Sequence, residues 1–244
     1  MLSEETKPES RIEYIDIAKA LGIMLVIAGH VVSSNTEIKR ILYAFHMPLF
    51  FMLSGMLLKS KNEYRFETWR TIVYKKLRTL MLPYFVWALV YSAFSFKHLA
   101  LIVYGTRETL IDAESLTSLW FLPVMFLAFL YVGVVLAVSS KTRKYLYVAV
   151  VVGVVVCFLI GFIIPHHSTY GDPYGLDIAF VAAAFMSIGM IVHKGIYHLK
   201  NAGLMVAAAV IVCVVFIVSI RFSTSAVGYV LMANAEYGNP FVFI

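Results

Sequence analysis

The sequence predicts an all-α fold: a polytopic transmembrane helix bundle of about seven complete spans plus the start of an eighth. Three observations carry that reading. The hydrophobic fraction is 61%, against about 45–50% in ordinary soluble domains, and the mean hydropathy is +0.85. Charged residues make up only 14% of the chain and gather between the apolar runs. Those runs are also too long and too uniformly apolar for barrel strands of about ten alternating residues. The net charge of +6 would suggest nucleic acid in a soluble protein. Here Lys and Arg in cytoplasmic loops explain it, so the expected partner is a bilayer and no nucleic acid.

The chain reads as a single transmembrane domain over 1–244, with expected spans at 15–34, 41–58, 79–96, 119–138, 145–164, 177–193 and 203–220. Residues 1–14 form a polar tail without the basic start and cleavage site of a secretory signal, so the first run is expected to stay as a span. Fourteen Lys and Arg residues fall on the side of the N-terminus and five on the other. Positive-inside bias then puts the N-terminus in the cytoplasm and the chain, multi-pass, in the plasma or inner membrane. Segment 59–78 has Phe66, Trp69, Ile72, Val73 and Leu77 at helical spacing with basic residues between them. It reads as a cytoplasmic amphipathic interfacial helix resting on anionic headgroups. Alternatively its Lys75 and Arg78, one turn apart, grip a phosphate-bearing ligand. The closing NPFVFI looks like an eighth span cut short, and the C-terminal spans of the bundle are expected to be missing. Cys157 and Cys213 sit inside apolar runs and read as packing residues.

The first span holds the most informative pair. Lys19 and His30 are eleven residues apart, which is about 20° beyond three full helical turns, so both share one face about 16 Å apart. Ionisable groups inside a span are expensive and point to function by default. Asp16, three residues before Lys19, can pair with it across one turn. The plainer readings are that Lys19 snorkels to the interface and that His30 is an interfacial polar residue. Against the second, His46 falls about five residues into the second span, at a depth comparable to that of His30, and short connections make neighbouring spans antiparallel. Two imidazoles could then meet in one pocket. Ser54 and Gly55 suit close helix packing better than nucleophilic chemistry. Trp120 reads as an aromatic-belt anchor or as a platform for stacking a sugar. The segment carrying His166, His167, Asp172 and Asp177 reads as a solvated loop, since adjacent histidines lack the spacing that lets two ligands meet on a helix; no metal is expected.

Four segments in order resemble acyltransferase family 3, the polytopic membrane acyltransferases. They are the opening span RIEYIDIAKALGIMLVIAGHV with Asp16, Lys19 and His30; FHMPLFFMLSGMLL at 45–58; KKLRTLMLPYFVW at 75–87; and SLWFLPVMF at 118–126. The second is similar to the branch of fucose O-acetylase-like sugar acetyltransferases. The resemblance implies an integral membrane O-acyltransferase, with acetyl-CoA or another acyl-CoA as donor and a hydroxyl of a cell-surface or lipid-linked sugar as acceptor. Lys19 would then help hold the donor, with Asp16, Lys75 and Arg78 beside it. His30 would act as general base, with His46 orienting the acceptor or the first histidine, or stabilising the oxyanion. His30 as an acylated nucleophile is the competing chemistry. The rival functions are a transporter using the same intramembrane polar residues, and a non-catalytic fragment or accessory subunit.

Overall fold

The computed structural model describes residues 13–32, 37–58, 66–92, 98–106, 109–110, 116–139, 146–163, 172–198 and 232. Among them the regular structure is all helical, as hydrophobic runs with few charges require when backbone groups must be satisfied within the segment. The helices are α1 (Glu13–Val31), α2 (Glu37–Met56), α3 (Phe66–Lys76), α4 (Leu82–Tyr91), α5 (Leu99–Tyr104), α6 (Phe121–Ser139), α7 (Leu146–Ile163) and α8 (Leu176–His198). Two of the described helical stretches, Glu13–Val31 and Pro173–His193, are long and apolar enough to cross a membrane. Ile41–Met56 and Ser118–Val134 are shorter apolar stretches, because Glu37, Lys39 and Arg40 make the first turn of α2 polar. The count of seven spans therefore remains an expectation of the sequence. The seventh segment, 203–220, and the NPFVFI tail lie outside the described residues.

Helices α3 and α4 are joined by a π-helical segment, Leu77–Met81, and its flanking residues Lys76 and Leu82 both keep right-handed helical angles. The chain thus runs as one rod from Phe66 to Tyr91. Pro83 supplies a reason for the wider turn, since it has no N–H to close an ordinary α-helical bond onto the Thr79 carbonyl. Helices α3 and α4 are in this way mechanically continuous.

Helix α8 is the central strut. Every residue from Val181 to Ser187 is buried, and Ala179, Ala182, Ala183 and Ala184 let α2, α6 and α7 approach it. The tightest crossing is with α2. A methyl group on Gly55 would lie 1.8 Å from the Met186 carbonyl oxygen, and one on Gly189 would lie 2.0 Å from that of Met52. Gly55 is thus a packing residue, and Gly189 is its counterpart on the facing helix. Helix α1 lies to the side. Its Gly22 rests on Phe50 and Leu49, and its Gly29 on Tyr43 and Leu42, an antiparallel register on α2. Ile15 forms a small core of its own with Leu53 and Met56, separate from the main cluster around α8. Ile17, Leu21, Ile23, Met24 and Ile27 are exposed on α1, a face suited to lipid.

Candidate active site

The antiparallel register brings the C-terminal end of α1 beside the N-terminal half of α2, and the two predicted histidines with it. His30 is exposed in the last turn of α1, whereas His46 is only 4% exposed. The Tyr43 ring stands between them, with centroids 6.1 Å from His30 and 5.1 Å from His46, both edge-on. Lys39, one turn earlier on α2, holds its ammonium 5.5 Å from the centre of the same ring. One turn back from His46, the Leu42 carbonyl accepts a hydrogen bond from its Nδ1. A carbonyl only accepts, so in the neutral ring Nδ1 carries the proton and Nε2 keeps its lone pair.

The other end of α1 is basic. The ammonium of Lys76 lies 5.2 Å from the centre of the Phe129 ring on α6. Partial burial, and then the charges of Lys75 and Lys19, hold this ammonium below the usual lysine range. Lys19 from α1 and Lys75 and Lys76 from α3 thus form one cluster of like charges, of which Lys76 is the most enclosed. Arg78 is exposed, its guanidinium 5.7 Å from the centre of the Tyr74 ring. Asp16 is exposed in the first turn of α1, where the helix dipole favours a carboxylate, and no ion pair joins it to Lys19 among the described residues. Beside this cluster the Tyr14 hydroxyl and His193 Nδ1 are 2.7 Å apart, tying the start of α1 to the end of α8.

The remaining candidates divide. Trp120, 8% exposed, meets Phe121 edge-on at 6.1 Å, and Phe121 packs on Phe51 at 5.0 Å. No contact among the described residues joins Trp120 to either histidine. His166 and His167 lie outside the described residues. Asp177, read from sequence as part of a solvated loop, is 5% exposed at the first turn of α8, where a helix N-terminus stabilises a carboxylate. The described residues contain no group of three or more His, Cys, Asp or Glu able to hold a metal ion.

Sequence reasoning passed over Tyr43 and Lys76. Tyr43 is one turn before His46 and therefore on its face, a signal that was available in the spacing. Lys76 could not be told from its neighbour Lys75 by sequence, because only the packing on α6 decides which of the two is enclosed.

Among the described residues the structure is helical and apolar, with His30 near His46 at one end of α1 and Lys19 near Lys75 and Lys76 at the other, which fits the class of helical membrane proteins. The family model described as an acyltransferase domain, that of acyltransferase family 3, matches residues 12–244. The chain belongs to this family of membrane-embedded acyltransferases. No curated protein and no solved structure matches it.

Proposed function

We propose that this chain is an O-acyltransferase that moves an acyl group, with acetyl the expected one, from acyl-CoA to a hydroxyl of a cell-surface or lipid-linked sugar. One observation carries the reading: a single helix, α1, bears the cation of one cluster at Lys19 and the outermost of two imidazoles at His30, about 16 Å apart along its axis. That distance suits a donor with phosphates at one end and a thioester at the end of an extended arm.

In this reading the phosphates of the donor rest on Lys19, Lys75 and Lys76, with Arg78 close by, on the cytoplasmic side. Ammonium groups serve phosphate as compact charges, and three together favour a ligand of several negative charges. The thioester lies near His30. The sugar hydroxyl attacks the thioester carbon as His30 accepts its proton; the C–S bond then breaks, and the CoA thiolate leaves and takes up the proton. The tautomer of His46 supports an orienting role over the oxyanion one. In the neutral ring Nε2 has no proton to give to an oxyanion, so His46 accepts a hydrogen bond and orients the hydroxyl or the His30 ring. Asp16 in the first turn sets the local field at the donor entrance, and Trp120 serves as a wall of the acceptor region rather than an open stacking face.

The test is to incubate membranes of expressing cells with labelled acetyl-CoA and identify the glycan that becomes labelled. His30→Ala should lower transfer by roughly 10²–10⁴-fold, the usual contribution of a general base, with membrane insertion unchanged. Wild-type transfer by the alanine variant would overturn the assignment of the base.

A further inference from the structure

We infer that Tyr43 is a positioning residue that sets the geometry of the His30–His46 pair, an inference that rests on the function proposed above. Four contacts converge on its ring. His30 and His46 approach it edge-on from two helices, at 6.1 Å and 5.1 Å between centroids. The Lys39 ammonium lies 5.5 Å from its centre. Gly29, the residue before His30, is buried against it, and a methyl group there would sit 3.4 Å from Cε2.

Each contact has a physical consequence. Gly29 packs against the ring with room for no more than a methyl group at ordinary contact distance, so this contact helps set how α1 is rotated against α2 and where the His30 side chain starts. In each of the two edge-to-face pairs the rings attract through their quadrupoles, by about 0.5–1.5 kcal/mol for a typical aromatic pair. The lysine adds a cation–π contact that holds the ring itself in place. His46 is fixed independently by its bond to Leu42. The ring is therefore the spacer that carries the fixed position of His46 over to the exposed and otherwise freer His30. Nothing in this role requires the hydroxyl, and the ring does not need to touch the substrate.

The test compares Tyr43→Leu, Tyr43→Phe, Gly29→Leu and His30→Ala in membranes given labelled acetyl-CoA, with equilibrium binding of acetyl-CoA measured on each. Tyr43→Leu should lower kcat by about tenfold or more while KM and binding for acetyl-CoA stay within about twofold, the pattern of lost transition-state geometry. Tyr43→Phe should restore kcat to within about threefold of wild type. Gly29→Leu, which displaces the same ring from the opposite helix, should reproduce the Tyr43→Leu defect. A readout free of catalysis is carbethoxylation of the exposed His30 by diethyl pyrocarbonate, followed by mass spectrometry. Its rate should rise when the ring is removed and return with phenylalanine. An unchanged kcat in Tyr43→Leu beside a dead His30→Ala overturns the positioning role alone. Loss of acetyl-CoA binding in Tyr43→Leu overturns it in favour of a structural one, and an unchanged His30 reaction rate overturns it whatever the activity. Full activity in His30→Ala overturns the proposed base instead.

Discussion

At the scale of the residue, Lys76 carries the basic helix α3 onto α6. It is enclosed beside Phe129, and the charges of Lys75 and Lys19 act on it. Its pKa is lowered, so its positive charge is lost, as pH rises, earlier than that of an ordinary lysine. If it helps hold the donor phosphates, KM for acetyl-CoA should climb on the alkaline side of neutrality in wild type. Lys76→Arg, whose guanidinium stays protonated throughout, should flatten that climb. A climb of the same steepness in both proteins would remove Lys76 from the donor site. Lys19, His30 and His46 were legible in the sequence because charge and imidazole stand out against an apolar run. Spacing puts Tyr43 on the face of His46, but its pairing with Gly29 one helix away was not legible, because it depends on how α1 and α2 pack.

At the scale of the element, the glycines decide which helices can meet. Gly55 and Gly189 face backbone carbonyls, which cannot swing aside as side chains can. Gly55→Ala or Gly189→Ala should therefore force α2 and α8 apart, at about 1–3 kcal/mol each, the usual cost of overpacking. Gly29→Ala meets the Tyr43 ring and Leu42 at ordinary contact distances and should be close to neutral. Thermal unfolding in detergent checks the contrast, and equal midpoints for Gly55→Ala and Gly29→Ala would contradict the crossing. The packing use of Gly55 was readable from its place beside Ser54 in an apolar run. Its reciprocal Gly189 was not, because pairing depends on which helices become neighbours, and α2 and α8 are far apart in sequence. Likewise the π segment at Leu77–Met81 has a visible cause in Pro83, yet the sequence pattern alone divides the rod into an interfacial piece and a span.

At the scale of the whole molecule, helical class and apolar character were legible from composition, since a chain this rich in hydrophobic residues has few other ways to satisfy its backbone. The number of spans stays an expectation of the sequence: among the described residues, Glu13–Val31 and Pro173–His193 are the helices long and apolar enough to cross a membrane. What unites the molecule is α1, a side helix held on α2 by Gly22 and Gly29 and tied to α8 through Tyr14 and His193. Tyr14→Phe should loosen that tie and weaken acetyl-CoA binding several-fold while leaving kcat at saturating donor nearly unchanged; equal binding in both proteins would show the tie to be idle. The central claim is that α1 carries two separable functions, donor binding at Lys19 and proton transfer at His30. The most direct measurement sets acetyl-CoA binding against acetyl transfer in two variants of the reconstituted protein. Lys19→Gln is expected to weaken binding and to recover transfer as donor is raised, and His30→Ala to bind donor as wild type does and transfer nothing at any concentration. Loss of binding in His30→Ala, or transfer by it at the wild-type rate, would contradict the account.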